Sequence, residues 1–233
     1  MKRLLAQLVL VVIAFGGSIH AAQTLDRIVA TVNQKPILAS DLEDEAHYEA
    51  LQQAKAPDAL EGNRKAVLNH VIERELICQQ MAESYDPGKD RIDRQIALLR
   101  DEFPAVKTDQ DWKSLIASYD FDEESLRDLV KLQLQVVHFI DLRLRPTVRV
   151  DRDEVDEYYS DKLVPKLKAA GAQVDPIDKL RDKIQEVLLQ EKMTNVFEAW
   201  IANLRNQGSI RILDPTLVPQ AGAGAEKSGN TSQ

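Results

Sequence analysis

LDRIVATVNQKPILASDLEDEA, residues 25–46, changes its period halfway along, and that change decides the fold. Leu25, Ile28, Ala30 and Val32 are the apolar members of one alternating set, as in a strand. Asn33-Gln34-Lys35-Pro36 interrupts the alternation with turn-forming residues, and Ile37-Leu38 resumes it, so two short strands joined by a turn are expected. Ser40 then stands three residues before Glu43, a capping-box spacing that predicts a helix start. From there to about Gln53 the pattern is helical, and Pro57 falls in the loop beyond.

Downstream, helical periods dominate. Leu68, Val71, Ile72 and Leu76 form the clearest apolar stripe, inside a helix expected over Leu60–Ser84 and stopped by Pro87-Gly88. Lys89–Phe103 repeats the pattern with Ile92, Ile96 and Leu99. Thr108, with Asp111 three residues on, predicts the next cap, and Trp112, Leu115 and Ile116 are its inward face. Asp122 caps a long helix expected from Glu123 to Leu144. Asp151 and Glu154 mark another start, after which Pro165, Gly171 and Pro176 are read as punctuating a linker. Pro176 opens the last long helix, whose apolar face includes Ile184, Leu188, Phe197, Trp200, Ile201 and Leu204, and Gly208 ends it. Ser209–Leu213 alternates as a closing strand. An isolated strand pair is marginal in water, so the two ends of the chain are expected to pair.

The expected fold is therefore mainly α: a multi-helix core with a small β-hairpin at the N-terminus, completed by a short C-terminal strand. Residues 23–213 would form a single core from an N-terminal segment (23–163) and a C-terminal segment (176–213). From Asp214 the sequence turns to Pro, Gly, Ala and Ser, and 214–233 is expected to be a disordered tail.

The first residues carry a different message. Lys2 and Arg3 precede an apolar run from Leu4 to Phe15, and Ala21-Ala22 supply small residues for cleavage. That order is the signal-peptide pattern, so residues 1–22 are expected to be removed on export and no stable membrane insertion should follow. The run is shorter than the ~20 residues of a spanning helix. The chain has 30 basic and 38 acidic residues, a net charge of −8, two units more negative once Lys2 and Arg3 are gone. Such a surface repels a phosphate backbone, which argues against nucleic acid as a partner. Cys78 is the one cysteine, so no internal disulfide can form.

No enzymatic constellation emerges. The sequence lacks a nucleophile elbow, a phosphate-cradling glycine loop and a dinucleotide fingerprint. His47 follows Asp44 and His70 precedes Glu73, but a di-metal bundle needs two Glu-x-x-His pairs and two further glutamates. The acids Asp41–Glu45 fit a first helical turn, where the helix dipole favours them. Neither a catalytic residue, a metal ligand nor a cofactor is expected.

On the residues quoted, Leu25–Ala46 resembles the opening hairpin and first helix of the SurA family of periplasmic chaperones. VLNHVIERELICQQMAES (Val67–Ser84) is similar to the family's next helix. Thr147–Lys162 resembles the lead-in to a parvulin prolyl isomerase domain, and Lys179–Leu213 the helix and strand after it. Only 17 residues lie between Tyr159 and Ile177, far too few for that domain, and no histidine follows His138. The resemblance thus implies the chaperone core without the isomerase: a periplasmic, nucleotide-independent binder of unfolded outer-membrane or secreted polypeptides. A reduced prolyl isomerase and a structural adaptor of an envelope assembly are the alternatives. Trp112, Tyr119 and Phe121 are the candidate peptide-binding residues, with ordinary core packing as the competing account.

Overall fold

The hairpin at the start of the chain is the seed of the fold. A computed structural model describes residues 26–82 and 85–218; the expected signal peptide and most of the tail lie outside the described residues. β1 (Ile28–Val32) pairs antiparallel with β2 (Lys35–Leu38), setting Ala30 opposite Ile37 and Val32 opposite Lys35. At the turn, Asn33 and Gln34 both have positive φ, 49° and 73°. That geometry has the twist a two-residue hairpin needs. β3 (Ile210–Ile212) pairs antiparallel with the other edge of β1, giving the order β2–β1–β3. Asn33 fixes the junction, donating its backbone N–H to Ser209 O at 2.9 Å and accepting from Ser209 N on Oδ1 at 2.7 Å. Gly208 precedes this contact, and a Cβ there would come within 3.1 Å of Leu204 O and of Leu76 Cδ2. The small sheet is thus built from both ends of the chain.

The helices follow: α1 (Ala39–Gln52), α2 (Arg64–Cys78), α3 (Lys89–Asp101), α4 (Asp109–Ala117) and α5 (Glu123–Leu144). The caps at Thr108 and Asp122 form as expected: Thr108 Oγ1 accepts from Asp111 N at 3.1 Å, and Asp122 Oδ1 from Ser125 N at 2.7 Å. The Ser40 cap does not. The N-cap lies two residues earlier, at Leu38, whose N–H donates to Asp41 Oδ2 at 2.8 Å. Ser40 lies inside the helix and donates from both N and Oγ to the Asp26 carboxylate. A carboxylate from before β1 therefore serves the helix end that Ser40 was expected to serve itself. α2 also begins later than Leu60, because Pro57–Asn63 forms a separate 3₁₀ segment.

The expected linker is largely helical. After α6 (Arg152–Glu157), Tyr158–Leu163 continues as a π-helical turn and α7 (Val164–Ala169) runs on past Pro165. Proline inside a helix lacks an N–H and crowds the preceding turn. Pro165 sits in the first turn after the π-helical segment, where its missing N–H is tolerated, and the helix continues. α8 (Ile177–Gln207) is continuous over 31 residues, about 46 Å at the standard rise.

The main core gathers β1, β2, α1 to α5 and the last turns of α8, with Leu42, Leu51, Leu68, Ile72, Ile116 and Leu126 fully buried. A second, small cluster joins Val155 to Ile184 and Leu188. The tail boundary at Asp214 needs correcting: Asp214 accepts from Arg27 Nη1 at 2.6 Å, and Leu217 is buried in the main core. Packing extends to that leucine because Asp214 turns the chain back, accepting from Thr216 N and Oγ1 at 2.9 and 2.7 Å.

Candidate functional site

The aromatic trio comes first. Trp112, Tyr119 and Phe121 are 4%, 3% and 4% exposed, and all three belong to the main core. Tyr119 donates its hydroxyl to Lys55 O at 2.5 Å, which fixes the turn after α4 to the end of α1. Trp112 borders a cleft of about 220 Å³ shared with Ile96, Leu126, Glu123 and Arg127. In this structure the three rings pack the interior rather than line a groove, so the open apolar surface must be sought elsewhere.

It lies between α1, α2, α5 and the last third of α8. A groove of about 270 Å³ has a floor of Leu129, Leu132, Val136, Val137 and Ile140 from α5, with Ile77 from α2 and Phe197 from α8 on its walls. Val137 is 55% exposed and points an uncovered branched side chain into solvent. The helical period explains the floor: Leu129, Leu132, Val136 and Ile140 recur every three or four residues and share one face of α5. Phe197 packs edge-on to Trp200 with ring centroids 6.3 Å apart, and the Arg143 guanidinium covers the Trp200 ring at 5.5 Å. Phe197 and Trp200 are accordingly half-buried at the edge of the core rather than inside it.

The rim is polar and paired. Arg74 is ion-paired with Glu45, Arg205 with Glu73 at 2.9 Å, and His70 Nδ1 lies 2.6 Å from Glu49 Oε1. Burial lowers the pKa of Arg74 from the ordinary arginine value. At one end Gln133 Oε1 accepts from Tyr48 Oη and, at 3.0 Å, from Gln52 Nε2. Burial pushes the Tyr48 phenol up to about 12, so it remains a donor throughout the neutral range. Arg74 offsets the charge of Glu45 and Arg205 that of Glu73, so the groove offers apolar contact beside paired charges.

The acids singled out in the sequence have local tasks. Asp41 caps Leu38 and Glu45 holds Arg74. His47 Nδ1 has no hydrogen-bond partner among the described residues and lies 3.5 Å from Asp120 Oδ2. Burial pushes the half-buried Cys78 thiol up, which keeps it in the less nucleophilic form. Among the described residues, no group of three His, Cys, Asp or Glu side chains is arranged to hold a metal ion. No helix among them is long and apolar enough to cross a membrane.

The groove was missed by reading aromatics for their type. Its one sequence signal was the surplus of apolar residues on α5: Val137 falls off the face that packs the core. Compared with known protein families and with characterised proteins, the chain matches no family model and no curated protein.

Proposed function

We propose that the protein is an exported, nucleotide-independent chaperone that holds unfolded outer-membrane or secreted polypeptides, similar to the SurA family but without isomerase activity. The observation that carries this reading is the open apolar groove with its ion-paired rim. An uncovered apolar surface ringed by polar groups marks a place where another chain can bind. Unfolded polypeptides expose apolar side chains, and a groove without a charged centre selects them by burial rather than by one chemical group. The acidic surface keeps a chain with such a groove soluble. Release needs no nucleotide: a folding client withdraws its own apolar side chains.

The proposal has a direct test. Wild-type mature protein should suppress aggregation of a denatured outer-membrane barrel protein without nucleotide. Val137→Asp puts a carboxylate among the apolar side chains at an exposed position, so it should weaken suppression several-fold and leave the melting temperature nearly unchanged. Equal suppression by the variant, or by an unrelated acidic protein, overturns the reading. An adaptor would instead favour one folded partner. Intact mass of protein from the cell envelope should place the mature N-terminus near Ala22 or Gln23, and a peptide isomerisation assay should stay at the uncatalysed rate.

A further inference from the structure

The chain between α5 and the end of α8 is attached to the fold in an unusual way. Among the described residues, the main core takes no side chain between Ile140 and Phe197. The α6–α7 segment instead packs on the first half of α8, through a cluster whose buried members are Val155, Ile184 and Leu188. Around it lie half-buried Tyr158, Tyr159, Leu163 and Leu180. Polar ties add to it: the half-buried pairs Arg181 to Asp156 at 2.8 Å and Lys192 to Glu154 at 2.6 Å, and the exposed Tyr159 Oη to Asp175 O at 2.8 Å. Ion pairs that still reach water stabilise little.

The local backbone adds little of its own. α6, the π-helical turn and α7 run on as one helical stretch, 152–169, and a single helix draws most of its stability in water from tertiary packing. Its middle six residues are π-helical, a rare form that, where it occurs, is frequently found at functional sites. Few buried apolar contacts and polar ties that still reach water are the physical marks of a unit that opens before the rest.

We propose that α6, the π-helical turn and α7 form an arm that peels from α8 while the main core stays closed. The face uncovered, Ile184 and Leu188 on α8 with Val155 on the arm, is a second contact for an unfolded polypeptide. The opening stands on the packing alone; only the identity of what meets the uncovered face rests on the chaperone reading. The arm keeps these side chains covered when no client is present. That limits the apolar surface the protein exposes, and a client that binds the face shifts the arm toward its open form.

Hydrogen exchange of the full mature chain, followed by mass spectrometry, tests both parts. Amides of 152–169 should exchange about tenfold or more faster than those of α2 and α5, the spread expected between a weak local unit and a core element. Leu188→Ala, which truncates a buried member of the arm's cluster, should speed the arm further and leave α2 unchanged. Protection of the arm equal to that of α5, or a variant that speeds both regions alike, overturns the opening. Reduced, carboxymethylated α-lactalbumin, a permanently unfolded chain, serves as the client probe. Its addition should speed exchange in 152–169, as expected if it holds the arm open. Unchanged arm exchange with slowed exchange at the groove overturns the second contact and leaves the groove reading intact. No effect anywhere overturns the client contact and counts against the chaperone reading too, while the opening is still judged on the free protein.

Discussion

The main core and the arm are both helical, and they differ in how far apart in sequence their partners lie. In the core, β1 is flanked by β2 from its own hairpin and by β3 from far along the chain, and Leu204 and Leu217 belong to the same buried cluster as side chains of the first helices. In the arm, Val155 meets Ile184 and Leu188 from α8, about thirty residues on, with half-buried Val150 beside them. Contacts across long sequence separations cost more loop-closure entropy to form. Once formed they tie many elements into one cooperative unit. The arm's contacts are easier to form and tie nothing else in place. One chain thus holds a rigid body around the groove and a loosely held appendage, joined by the unbroken α8.

The largest effect should come from cutting the long-range ties. Truncation after Pro176 removes α8, β3 and Leu217, and with them one edge of the sheet and part of the core. The fragment should lack a cooperative thermal transition by circular dichroism or calorimetry. A fragment melting like the intact mature chain would break the contrast, since the N-terminal segment would then fold alone.

The next effect separates the two regions at equal chemistry. Leu217→Ala should cost about 2–5 kcal/mol in urea unfolding, the usual range for a buried leucine with the cavity it leaves. Leu217 and Leu188 are 4% and 9% exposed, so burial alone would give them similar weight. The arm's separate packing says otherwise: Leu188→Ala should leave the main unfolding midpoint nearly unmoved and raise exchange only in 152–169. Equal shifts of the midpoint would show that the arm and core unfold together.

What the sequence disclosed follows the same division between near and far. The caps at Thr108 and Asp122 were legible because their partners are three residues away. The hairpin was legible from alternation, and the pairing of β3 from the marginal stability of two strands. Ser40 misled because its partner, Asp26, is fourteen residues back and presents its carboxylate only after the hairpin folds. Leu217 was hidden in a Pro- and Ala-rich context that carries no period. Trp112, Tyr119 and Phe121 were put forward for their rings with core packing as the competing account, and ring type by itself does not separate a groove from an interior. The groove needed α5 and α8 brought together, Val137 beside Phe197, and no local pattern contains that information.

The smallest effect concerns the clasp that holds the chain's end against its beginning. Asp214 is nearly enclosed, and its carboxyl is held down at about 2, first by the Thr216 hydroxyl, then by the Arg27 guanidinium and the Thr216 N–H. An ordinary aspartate in the unfolded chain titrates near 3.9. The folded value is the lower of the two, so the ionised clasp stabilises the protein above the unfolded value, and that stabilisation is lost as pH falls from about 4 to about 2. Asp214→Asn removes the charge and keeps the shape, which isolates this contribution. The gap in urea midpoint between wild type and Asp214→Asn should be constant from pH 5 to 7, then shrink through the window from about 4 to 2. Exchange in the arm should show no such dependence on this substitution, because the clasp belongs to the core and the arm shares no side chain with it. A gap that stays constant down to pH 2 would mean that the carboxylate adds nothing beyond its hydrogen-bonding shape. An arm that loosens with the clasp would mean that α8 transmits strain from one region to the other, and the division between them would then be one of packing alone.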